Sequence, residues 1–171
     1  AKINDDIWVT GNLGNSFAGL MFKKNIIKTN DSIKKFFIKK YLYPDPCMIG
    51  DKLRLIATSA IDISDGFYGD LNKLLQPNNL GANIDVKSIP ILPKLKNLIL
   101  SHKFKINKLL SAGDDYEILF TSDPKKKYLI NALSKKNKIK ITKIGTIINK
   151  KGIYADGKIL SLNKKSFQYN F

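Results

Sequence analysis

The chain has 171 residues, 43% apolar and 10% aromatic, enough to bury one domain's core and too apolar for a disordered chain. Thirty Lys and Arg against fourteen Asp and Glu give a formal net charge of +16, which invites an anionic partner. Cys47 is the single cysteine, so an intrachain disulfide is excluded, and no apolar run approaches the ~20 residues of a membrane-spanning helix.

In chain order, DIWVTG (6–11) has strand character, with Ile7 and Val9 alternating against Trp8 and Thr10. The glycines of GNLGNSFAGL then turn the chain into a helix carrying Phe17, Leu20 and Met21. Gly11 and Gly14 do not complete a GxGxxG, so this loop reads as a strand-to-helix connection. DSIKKFFIKKYL (31–42) is a helix starting at Asp31 and stopping before PDP (44–46). GDKLRLIATSA (50–60) reads as a further helix and AIDIS (60–64) as a short strand. After Gly66, Phe67, Leu71, Leu74 and Leu75 fall at i, i+4, i+7 and i+8, one apolar face of a helix that PNN ends near 77.

GANIDVKSI (81–89) alternates as a strand, PKLKNLIL is a short helix and YEILFT (116–121) an apolar strand. A helix then opens with Asp123 as its cap and Pro124 at its first position. IKITKIGTIIN and GIYADGKIL close the chain as two strands. Strands and helices without a strict βαβ rhythm predict an α+β fold, an α/β sandwich of one mixed sheet packed by helices. The chain opens without a Met and within a few residues of a strand, the pattern of a piece of something longer. It reads as soluble and cytoplasmic.

The charge is a weak guide to partner. Arg54 is the sole arginine, and arginine is the residue that grips phosphate bidentately and reads base edges. The lysines are scattered over many solvated faces. The acidic residues are more informative, because six of the fourteen fall in two short segments: Asp62, Asp65 and Asp70, then Asp114, Asp115 and Glu117.

In DISDG, strand alternation puts Asp62 and Ser64 on one side, and Asp65 falls at the strand-to-helix turn. The free N–H groups and positive dipole end of the new helix favour an anion. Carboxylates beside such a place suit Mg²⁺ carrying polyphosphate, since magnesium takes one or two carboxylates and shares its other positions with water and phosphate. Ser64 is placed to donate to a phosphate. The other reading is that Ser64 or Asp65 caps the helix. SAGDDYEILF repeats the pattern, a glycine and two carboxylates before a strand; adjacent Asp114 and Asp115 repel, so a cation, a donor or water is needed, and a solvated turn is the alternative. His102 has no second His or Cys at ligand spacing and reads as a surface histidine. Cys47 has no neighbouring base and is not read as a nucleophile.

DIWVTGNLGNSFAGL, YLYPDP, SAIDISDGFYGDL, GANID and SAGDDYEILFT, in this order, resemble the C-terminal half of the thiamine-monophosphate kinase family. That family belongs to the superfamily of aminoimidazole ribonucleotide synthetase, hydrogenase maturation factor and selenophosphate synthetase. DISDG together with GDDYE points to the thiamine branch, and the resemblance covers essentially the whole chain.

It implies phosphorylation of thiamine monophosphate to thiamine diphosphate by ATP with Mg²⁺. By motif position, Asp62 and Asp65 would bind Mg²⁺ at the catalytic centre and Ser64 would contact ATP. Asp114 would contact thiamine monophosphate, with Asp115 and Tyr116 supporting its loop. Phe167, in SFQYNF, would stand for the aromatic of the family's GYxHF-like ending, although the usual His is missing and one residue is inserted. The resemblance further implies an N-terminal domain carrying more metal-binding aspartates, much of the ATP site and a homodimer interface, with an ATP-contacting arginine just upstream of residue 1. The isolated chain is therefore expected to hold half a site and to have little or no activity. Two rival readings are another phosphotransferase of the superfamily, which N-terminal motifs would reveal, and a non-catalytic basic nucleic-acid-binding module. The latter requires salt-sensitive DNA or RNA binding indifferent to loss of Asp62 and Asp65.

Overall fold

The structure, a computed structural model, describes residues 1–101 and 106–160. Its strands are β1 (Asp6–Thr10), β2 (Ser59–Asp62), β3 (Gly81–Ile84), β4 (Ile118–Ser122), β5 (Ile141–Ile148), β6 (Gly152–Ala155) and β7 (Lys158–Ile159). Its helices are α1 (Asn15–Lys23), α2 (Asp31–Leu42), α3 (Gly50–Leu53), α4 (Phe67–Leu75), α5 (Pro93–Ser101), α6 (Ile106–Leu110) and α7 (Lys127–Asn137). The strands form one sheet in the order β2-β4-β1-β5-β3-β6-β7. All pairs are antiparallel except β3 with β6, so the sheet is mixed and the expected α+β class holds.

The alternation in β1 explains why its whole length is buried. Ile7 and Val9 enter one core with Phe22, Phe37, Phe67, Tyr68 and Leu71, contributed by α1, α2 and α4. Trp8 enters a second core with Leu53 of α3, Ile130 of α7, and Ile118 and Phe120 of β4. Trp8 and Phe120 are directly opposite in the β1–β4 register. Helices thus cover both faces of the sheet at β1 and β4, and each large apolar side chain removed from water there stabilises the fold by roughly 1.5–3 kcal/mol.

Several local expectations change. The helix over 50–60 ends at Leu53, because Thr58 is drawn to the sheet edge: its N–H bonds Thr121 O at 2.8 Å and its hydroxyl meets Thr121 Oγ1 at 2.6 Å. α2 is capped by Asn30, whose side chain accepts from Ile33 N, with Asp31 inside the first turn. Asp123 caps a single 3₁₀ turn, Pro124–Lys126, that leads into α7. β3 stops at Ile84, where Asp85 accepts from Lys87 N and starts another such turn. The closing run splits into β6 and β7 around Asp156 and Gly157, both at positive φ. Among the described residues, no helix is long and apolar enough to cross a membrane.

Candidate functional site

The two acidic motifs lie backbone against backbone. β2 ends at Asp62, and the chain beyond it pairs with the GDDYE loop: Ile63 N bonds Glu117 O at 2.8 Å, Tyr116 N bonds Ile63 O at 2.9 Å and Asp114 N bonds Ser64 O at 3.0 Å. Only glycine fits at the crossing. A Cβ on Gly113 would lie 2.0 Å from Ser64 O, and one on Gly66, at φ +106°, would lie 2.7 Å from Ser111 O.

β2 ends at Asp62, two residues before Ser64. The fully buried Asp70 sets that part of the loop. Its Oδ2 accepts from Ser64 N at 3.0 Å and Asp65 N at 2.9 Å, while Oδ1 takes Lys73 Nζ at 2.7 Å. Lys73 also pairs with Asp65, and hydrogen bonds to Asp65 and Asp70 hold its ammonium above the usual lysine range. α4 begins after Gly66 with no side-chain cap, so the alternative that Ser64 or Asp65 caps it does not describe this loop. The sequence pattern places Asp70 in the acidic segment without assigning it a role. A carboxylate in a helix's first turn, able to reach back to preceding N–H groups, was the available signal.

Asp114 and Tyr116 sit at φ +68° and +51°, uncommon for residues with side chains, which delays β4 to Ile118 rather than 116. Asp114 is exposed, and Tyr116 OH donates to its Oδ1 at 3.3 Å. Asp115 turns the other way and accepts from Gly14 N at 2.6 Å and Ser16 N at 3.3 Å at the start of α1. Ser16 Oγ donates to Asp114 O at 2.6 Å, locking the same turn. Desolvation pushes Asp115 up to about 7, against those N–H bonds and with added repulsion from Glu117. Glu117 is raised as well, chiefly by burial, while Thr10 Oγ1 at 2.6 Å and Asn12 N at 3.3 Å donate to it. The glycine loop is therefore tied down by GDDYE, consistent with its reading as a connection.

Asp62 is exposed at the end of β2, where it lines an open groove of about 550 Å³ with Cys47, Met48, Asp51, Ile61 and Ile118. Cys47 N donates to Tyr116 O at 3.0 Å, which carries the segment after YLYPDP to the same loop. Ser64, Asp65 and Asp114 thus belong to one pair of loops, with Asp62 at the strand end that leads into it. No three His, Cys, Asp or Glu side chains converge into a metal cage among the described residues. Phe167 and His102 lie outside the described residues.

A family model described as AIR synthase related protein, C-terminal domain, matches residues 2–158. The chain belongs to this family. The chain is 42% identical over 149 residues to a thiamine-monophosphate kinase of Buchnera aphidicola subsp. Acyrthosiphon pisum (strain APS), covering 86% of the chain and 46% of that relative. A crystal structure of thiamine-monophosphate kinase from Stenotrophomonas maltophilia K279a superposes with a TM-score of 0.83 at 29% identity, over 94% of this chain and 52% of that one. A structure described as AaThiL complexed with AMPPCP and TMP gives 0.80 at 27% identity, over 95% and 50%. The chain spans about half the length of the curated relatives it matches.

Proposed function

We propose that this chain is the C-terminal half of an ATP- and Mg²⁺-dependent thiamine-monophosphate kinase, a phosphotransferase whose acceptor is itself a phosphate group. The observation that carries the reading is the backbone pairing of DISDG with GDDYE, made through Asp114 N and Ser64 O, which holds two sets of carboxylates at one junction. The relatives named thiamine-monophosphate kinase and the similar structure described with AMPPCP and TMP support the same substrates.

The donor set fits magnesium. Asp62 and Asp65 offer hard carboxylate oxygens, and Asp65 already lies against a cation, Lys73. Two protein carboxylates match an ion that keeps its other positions for water and phosphate. When bound, Mg²⁺ neutralises phosphate charge. Ser64 donates its hydroxyl to an ATP phosphate beside the uncapped start of α4. Asp114 contacts thiamine monophosphate, whose thiazolium ring is cationic, and Asp115 with Tyr116 holds the Asp114 turn. No general base is needed, because the attacking phosphate oxygen is ionised at neutral pH and the chain's work is alignment and charge compensation.

The reading assigns the rest of the ATP site, further metal ligands and a homodimer interface to an N-terminal domain, and places the enzyme in the cytoplasm. Alone, this chain is expected to turn over little or no substrate. The test is turnover of ATP and thiamine monophosphate by the full-length protein, with Asp62→Asn and Asp114→Asn. A loss of roughly several hundredfold in both, with folding intact, is expected for groups acting on the transferred phosphate. Near-normal rates would return both motifs to a structural role.

A further inference from the structure

Lys73 stands out as a cation that the proposed mechanism does not use. It lies on α4, three residues after the buried Asp70, and its ammonium bonds Asp70 Oδ1 at 2.7 Å. Asp70 cannot easily release it. The other Asp70 oxygen is committed to Ser64 N and Asp65 N, and an unpaired charge at this depth is costly. The same ammonium reaches Asp65, whose side chain is 39% exposed and open to a competing ion.

We propose that Lys73 is a resident counter-cation of the metal site: it holds the Asp65 carboxylate when no metal is bound, yields Asp65 to a divalent cation, and stays on Asp70. The inference rests on the reading of Asp65 as a metal ligand and adds what sets the affinity there. In the metal-free state, Lys73 prevents Asp65 and Asp70 from repelling each other across the DISDG turn. In the loaded state its positive charge, tethered by Asp70, opposes the incoming ion, so the site binds metal more weakly than two free carboxylates would. A loosely held divalent ion suits a site where the metal arrives and leaves with nucleotide.

The test is Mn²⁺ binding by the full-length protein at low salt, followed by calorimetry and by paramagnetic broadening of the Ser64 and Asp65 amides. Lys73→Met is expected to tighten binding roughly tenfold, an advantage that shrinks as salt rises because the pair is half exposed. Lys73→Gln, which removes the charge but keeps a donor for Asp70, should do the same and covers the case in which the Met variant fails to fold. Lys73→Arg should bind as wild type does. Asp65→Asn should abolish the tightening in either background. In a Mg²⁺ titration of wild type, the Asp65 carboxyl carbon and Lys73 ammonium signals should move while the Asp70 carboxyl carbon stays put.

If wild type binds Mn²⁺ and the Met and Gln variants bind it equally or less well, the counter-cation role is overturned and the metal role of Asp65 survives. If neither the full-length wild type nor its variants bind Mn²⁺ at these residues, the metal reading of Asp65 fails and this inference goes with it.

Discussion

α1 and α4 are both entered through a glycine at positive φ, Gly14 at +83° and Gly66 at +106°, yet their first turns are used differently. At α1, the carboxylate of Asp115 arrives from a hundred residues away and takes the N–H groups of Gly14 and Ser16. The anion that a helix start attracts is supplied by the chain itself. At α4, Asp70 reaches back past the helix start to Ser64 and Asp65, leaving the first turn without a side-chain cap. A sequence pattern of strand, glycine and helix therefore does not reveal which helix start is closed by a distant carboxylate and which is left without a side-chain cap. The internal partner decides.

The strongest way to break this arrangement is Gly113→Ala. The new Cβ would meet backbone, Ser64 O, on a loop that cannot shift without losing Asp114 N–Ser64 O, so about 3 kcal/mol or more of stability should be lost in denaturant unfolding. Asp70→Ala strikes the α4 side alone. It strands two N–H groups and leaves Lys73 with only Asp65, at a cost of about 3 kcal/mol by the same measurement, with α1 unaffected. Asp115→Ala should do the converse: amide exchange at residues 14–16 should speed up roughly tenfold, about 1.4 kcal/mol, while exchange at 64 and 65 is unchanged. Equal loosening at both helix starts would mean that the two clasps are one unit.

A further effect is on pH dependence. With Asp115 raised from 3.8 to about 7, the folded chain keeps a proton between those values that the unfolded chain has released. This group's contribution is therefore present at low pH and is lost as pH rises toward and through about 7. Thermal melts across that window should show wild-type stability falling as pH rises and Asp115→Asn flattening that slope.

Much of the fold was legible in local pattern. The alternation of Ile7, Trp8 and Val9 foretold a strand, and the apolar stripe from Phe67 to Leu75 foretold α4, because side-chain periods of 2 and 3.6 are properties of the backbone. The site was legible as clusters of carboxylates and, through the family resemblance, as motifs. It was not legible as contacts. Nothing near residue 58 in sequence says that Thr121 would end a helix there, and nothing in GDDYE says that one aspartate faces solvent while its neighbour caps a helix.

By itself, then, the sequence determined the strand and helix periods, the acidic clusters in an otherwise basic chain, and the family. Only the tertiary structure decided which carboxylates serve the chain and which face outward. Backbone pairing between segments fifty residues apart brings DISDG against GDDYE. Burial then makes each inward carboxylate find its donors, Asp70 at Ser64 and Asp65, and Asp115 at Gly14 and Ser16, since a desolvated charge without partners is not tolerated.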